Sequence, residues 1–130
     1  MKRLAEFSLV CEGAISNNVD GLLQSLETEV PPQSFCFFAT KLVLWEMLSN
    51  IYKYSGDPEK MVSVELATAE ADVQITIEDF GAGFNWGAYM DCEPSCEDAG
   101  YRGLFLVKQY SKELKFDSAG KKTYIVIERR

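Results

Sequence analysis

The chain predicts an α+β two-layer sandwich. Three observations carry that expectation. Alternating or apolar stretches at both ends read as strands, two alternating stretches in the middle read as a hairpin, and the segments between carry apolar residues at helical spacing.

Leu4–Cys11 alternates as a strand. Ser16 or Asn17 can cap a first helix, whose Val19, Leu22, Leu23, Leu26 and Val30 repeat at i, i+3, i+4 and i+7. Pro31-Pro32 stops it. A second, long helix runs from Gln33 to about Tyr54, and Ser55-Gly56-Asp57-Pro58 turns the chain. Met61–Thr68 places Val62, Val64 and Leu66 on one face, and its hairpin partner Val73–Asp79 does the same with Val73, Ile75 and Ile77. A loop rich in Gly, Asp and Glu covers Gly81 to about Tyr101. A third helix spans about Gly103–Ser111, and two short strands, about Glu113–Asp117 and Thr123–Glu128, close the chain around Ser118-Ala119-Gly120. Lys41, Glu46 and Asn50 interrupt the second helix, which therefore reads as a core helix, since a membrane span needs roughly 20 consecutive apolar residues.

A length of 130 residues, with 47% hydrophobic and 25% charged residues, fits a single globular domain over residues 1–130. A net charge of −7 repels phosphate backbones, and the basic residues are scattered, the densest cluster being Lys121, Lys122, Arg129 and Arg130. Direct nucleic-acid binding is not expected. The chain has no histidine, which excludes a Ser-His-Asp triad, a His-ligated zinc and a phospho-accepting histidine. Cys11 and Cys36 sit in apolar runs and read as buried thiols. Cys92 and Cys96 form a C-x₃-C pair in a polar loop, too few ligands for zinc but open to a disulfide or redox role. Met1-Lys2-Arg3 opens no signal peptide, so reduced thiols in the cytoplasm are expected.

Three places break the apolar pattern. Glu46 and Asn50 lie i, i+4 on the long helix, one turn apart, and Tyr54 continues the line. They read either as a ligand site or as a solvated stripe on a half-exposed helix. Asp79 shares strand parity with Val73, Ile75 and Ile77, so its carboxylate is aimed at the buried face, and Gly81 and Gly83 follow it. That arrangement suits a donor-bearing ligand lying against bare backbone, or simply an Asx-type turn. Gly100-Tyr101-Arg102-Gly103-Leu104-Phe105 leads into a helix and reads as an anion site at its N-terminus, or as an ordinary helix start after a mobile loop.

Taken in order, these segments resemble the ATP-binding domain shared by gyrase, heat-shock protein 90, histidine kinases and MutL. Within that superfamily they are most similar to the bacterial anti-sigma factor serine kinases. Leu44-Trp45-Glu46-Met47-Leu48-Ser49-Asn50 resembles their first box, Ile77-Glu78-Asp79-Phe80-Gly81-Ala82-Gly83-Phe84 their second and Arg102-Gly103-Leu104-Phe105-Leu106-Val107 their third. The resemblance spans essentially the whole chain. It implies a mixed, mostly antiparallel sheet with three helices on one face. It also implies ATP and Mg²⁺ as cofactors.

The residue roles follow from the same resemblance. Glu46 would be the general base and Asn50 the Mg²⁺ ligand. Asp79 would accept from the adenine amino group, while Gly81 and Gly83 let the backbone close on base and ribose. Lys53, Phe84, Arg102, Gly103, Leu104 and Thr123 would complete the nucleotide site, and a lid would cover about 84–100. The implied reaction is transfer of the γ-phosphate to a serine of an anti-anti-sigma (STAS-like) partner. A second surface, formed by a homodimer, would hold a sigma factor, with no membrane involved. Two positions depart from the pattern. Tyr54 stands where the family often has histidine, and Tyr101 replaces the first of the paired glycines of the third box, with Gly100 one residue earlier. Tyr101 motivates the competing reading, a nucleotide-dependent binding module without catalysis. A third reading is the detached ATP-binding half of a two-component kinase, whose acceptor histidine would lie on another chain.

Overall fold

The computed structural model describes residues 2–9, 12–55, 57–81, 83 and 99–129. Five strands form one sheet: β1 (Lys2–Leu9), β2 (Val62–Thr68), β3 (Asp72–Asp79), β4 (Glu113–Phe116) and β5 (Lys122–Glu128), in the spatial order β1-β2-β3-β5-β4. Every described strand pair is antiparallel. The helices are α1 (Ile15–Leu26), α2 (Phe35–Ser55) and α3 (Ala99–Tyr110). The α+β sandwich expected from the pattern is the architecture observed.

Strand parity decides which face of the sheet is covered. Val62, Val64 and Leu66 of β2, Val73, Ile75 and Ile77 of β3, and Ile125 and Ile127 of β5 are all buried, while their alternate neighbours, Ala67 excepted, are not. Against this face α1 brings Val19, Leu22, Leu23 and Leu26, α2 brings Val43, Leu44, Met47, Leu48 and Ile51, and α3 brings Leu104 and Val107. Full burial of each such side chain is worth about 1.5–3 kcal/mol, which makes this continuous cluster the main source of stability. At one end of the helical layer, Phe35 of α2 meets Tyr110 of α3 with ring centroids 5.4 Å apart. No helix among the described residues is long and apolar enough to cross a membrane.

Several boundaries differ from the sequence expectation. The first helix is entered through a 3₁₀ turn, Glu12–Ala14, with Ala14 at the N-cap and no side-chain cap, so neither Ser16 nor Asn17 holds that position. Asn18 donates to the Ala14 carbonyl at 2.7 Å instead. The same helix ends at Leu26, and Val30 reaches the core from the following turn. The long helix starts at Phe35, where the Ser34 hydroxyl accepts from the Phe37 N–H at 3.2 Å and fixes its start. The third helix begins at Ala99, four residues before Gly103, so Gly103 sits inside the helix and not at its entry.

Candidate nucleotide site

The long helix carries Glu46 and Asn50 toward the third helix because they lie on the edge of its apolar stripe. Their neighbours Met47, Leu48 and Ile51 are fully or almost fully buried. Asn50 is itself buried, at 5% exposure, and Glu46 is half-buried. Facing them is Gly103. A Cβ on Gly103 would run into Glu46 Oε2 and would lie 3.5 Å from Asn50 Nδ2. The first and third boxes therefore meet side chain to bare backbone, and glycine at 103 is what permits the approach. Burial pushes the Glu46 carboxyl above its ordinary value.

Because α3 begins at Ala99, Gly103 lies past its first turn, and the backbone N–H groups without a partner inside the helix precede it. Gly103's own part is to admit Glu46 and Asn50. Leu104 is 1% exposed and packs in the core, so only its backbone is available to a ligand. Arg102 is in the first turn of α3, and Lys53 is exposed in the last turn of α2. Phe84 and most of the expected lid, with Cys92 and Cys96, lie outside the described residues, as does Cys11.

A second group of residues gathers at the end of β3. Asp79 is 3% exposed and points to the covered face, as its parity requires. Its Oδ1 accepts from the Gly81 N–H at 2.7 Å, and its Oδ2 accepts from Lys60 Nζ at 2.8 Å. The Asp79 backbone N–H donates to the Lys121 carbonyl at 2.7 Å, which carries β3 on toward the β4–β5 turn. Gly83 has φ +88°, and a Cβ there would run into the Ala119 carbonyl of that turn. Thr123 sits opposite Ile77 in the register of β3 and β5, on the same covered face as Asp79. It is 2% exposed, and its hydroxyl makes no hydrogen bond among the described residues.

Lys60 was not among the sequence candidates. A signal for it was present: Lys60 has the parity of Val62, Val64 and Leu66, which is the inward face of β2. The residue is fixed from several sides. Its N–H donates to the Asp57 carbonyl at 3.3 Å, and the buried Tyr52 hydroxyl donates to its carbonyl at 2.8 Å. Its side chain carbons run beside Gly81, where a Cβ would lie 2.8 Å from Lys60 Cε.

These groups suit a nucleotide. The glycines at 81 and 103 let Lys60 and Glu46 pack against bare backbone, and Asp79 and the Thr123 hydroxyl lie on one face of the sheet end. No group of three or more Cys, Asp or Glu side chains among the described residues could hold a metal ion alone. The cation that fits is one held by a single protein oxygen, such as the Asn50 amide, together with phosphate oxygens and water, which is ordinary Mg²⁺ chemistry.

Comparison with known proteins identifies the family. A family model described as a histidine kinase-like ATPase domain matches residues 21–128, well over half of the chain. No curated protein matches it.

Proposed function

Since the chain belongs to the histidine kinase-like ATPase domain family, and so to a family of ATP-binding domains, we propose that it is an ATP-dependent serine protein kinase acting as an anti-sigma regulatory factor. Its protein substrate would be an anti-anti-sigma (STAS-like) partner and its second partner a sigma factor, held by a homodimer. The observation that carries the reading is a glutamate, Glu46, pressed against Gly103 one helical turn from Asn50. A nucleotide-binding module without catalysis would need no carboxylate at that place.

In this reading Asp79 accepts a hydrogen bond from the adenine amino group, and Thr123, on the neighbouring strand, supplies a second polar contact. Asn50 would hold Mg²⁺, which when bound neutralises charge on the phosphates. The backbone N–H groups at the start of α3 would be presented to phosphate oxygens. Glu46 accepts the proton of the attacking serine hydroxyl as its oxygen bonds to the γ-phosphorus and ADP leaves. The acidic chain, at net charge −7 with its basic residues scattered along the sequence, would rely on backbone N–H groups and a cation to hold the phosphates of an anionic nucleotide.

The test is a phosphotransfer assay on a cognate partner with Glu46→Gln. Nucleotide affinity should stay within about twofold, while transfer falls by about 10²–10⁴-fold, the usual contribution of a positioned base. Undiminished transfer by the variant removes Glu46 from the chemistry. Binding of the partner without transfer by the wild-type chain favours the non-catalytic module, and acid-labile phosphohistidine on a partner favours a detached two-component kinase half.

A further inference from the structure

The Lys60–Asp79 ion pair is 2.8 Å long and both side chains are 3% exposed. Stability alone does not account for it, because a buried ion pair is often no better than an apolar pair of the same volume. Its hydrogen-bonding capacity is also unfilled. An ammonium has three donors, and among the described residues Lys60 Nζ uses one, on Asp79 Oδ2. A carboxylate has about four acceptor sites, and Asp79 uses one for Lys60 and one for Gly81. Buried donors of this kind are expected to find an acceptor. Beside the pair lies Gly81, whose missing side chain is what lets Lys60 Cε and the Asp79 carboxylate come together there.

We propose that Lys60 reads the purine base together with Asp79, its ammonium donating to the ring nitrogen next to the exocyclic amino group that Asp79 accepts. The proposal rests on the nucleotide-site reading above and assigns it a further specificity-determining residue. A spare donor next to a spare acceptor is complementary to the amidine edge of a 6-aminopurine, which presents an N–H donor beside a ring-nitrogen acceptor. The pairing is position-specific: Lys60 Nζ lies within hydrogen-bond distance of the very carboxylate that takes the amino group, so both contacts converge on one edge of the base.

The experiment is a calorimetric titration of the full chain and of Lys60→Met with Mg²⁺-ATP, 1-deaza-ATP and 7-deaza-ATP. The two analogues each lack one of the ring nitrogens flanking the amino group. In the wild-type chain one of them should bind about 10- to 100-fold more weakly than ATP, the range for a lost hydrogen bond to a charged group. In Lys60→Met that penalty should vanish, ATP itself binding as weakly as the analogue. Should Lys60→Met not fold, Lys60→Gln keeps a donor for Asp79 but is one bond shorter, and should lose the same discrimination. Equal penalties for the analogue in wild-type and variant, or no penalty in the wild-type chain, overturn the role of Lys60 while leaving ATP binding in place. A folded wild-type chain that does not bind ATP overturns both this assignment and the nucleotide reading.

Discussion

Glu46 is the residue at which stability and the proposed chemistry pull in opposite directions. Burial beside Gly103 raises its carboxyl above the ordinary value of 4.5. A carboxyl whose folded pKa lies above its unfolded one favours the fold below the unfolded value, and that contribution is lost as pH rises through the folded value. At neutral pH the ionised Glu46 therefore weakens the fold. Glu46→Gln should raise the thermal midpoint at pH 7 while it lowers phosphotransfer by the factor given above, and the gain should disappear when the unfolding is repeated below pH 4. The same shift moves the acid limb of transfer by the wild-type chain above the ordinary glutamate range, since the base acts only when ionised. Gly103 gives the complementary test. Gly103→Ala forces a methyl onto the Glu46 carboxylate and the Asn50 amide, and overpacking of this kind costs about 1–3 kcal/mol. A lowered denaturant midpoint with an unchanged m-value is the expected result. Of the residues at the site, Asp79 was legible because strand parity alone aims it inward. Lys60 had the same parity signal, but it lies before the strand begins, where alternation is not ordinarily counted.

Among the elements, the β4–β5 turn is the support on which the second glycine box rests. Asp117 accepts from the backbone N–H groups of Lys121 at 2.8 Å and Lys122 at 3.2 Å. Those N–H groups, Lys122 first, hold its carboxyl below the usual value. Here the folded pKa is depressed, so the stabilisation is present above the unfolded value and is lost as pH falls through the folded one. Asp117→Ala should lower the thermal midpoint at pH 7, and the gap from wild type should narrow as the pH is taken below the ordinary aspartate value. Gly83→Ala meets the Ala119 carbonyl at a positive φ and should destabilise this same corner. Helix starts were the least legible features in the sequence. Ser16 and Asn17 are good capping residues, yet a 3₁₀ turn carries the chain into α1 at Ala14 and overrides them. Gly103 looked like a helix entry because glycines cluster there, whereas tertiary contact with Glu46 is what calls for it.

At the level of the whole molecule, the sheet order β1-β2-β3-β5-β4 leaves β1 and β4 at the edges and β3 at the centre, flanked on both sides. Amides of β2, β3 and β5 should therefore exchange slowest in native-state hydrogen exchange, and those of β1 and β4 faster. Faster exchange in β3 than in β1 would contradict the core described. The far end of the sheet is closed by Arg129, which donates at 2.8 Å to the Ala69 carbonyl of the β2–β3 connection and to the Glu29 carbonyl before α2. That clasp joins residues 100 apart in the chain, which is why no local pattern revealed it. The opposite end carries the buried Asp79, Lys60, Asn50 and Thr123 together with the Glu46–Gly103 contact, and it is there that ATP is proposed to bind. Calorimetric titration of Mg²⁺-ATP into the full chain and into Asp79→Asn, each shown to be folded by circular dichroism, tests it most directly. Saturable one-site binding by the wild-type chain and a loss of at least tenfold in affinity in Asp79→Asn is the result predicted. Equal affinity in the two folded proteins, or no binding by the wild-type chain, would contradict it.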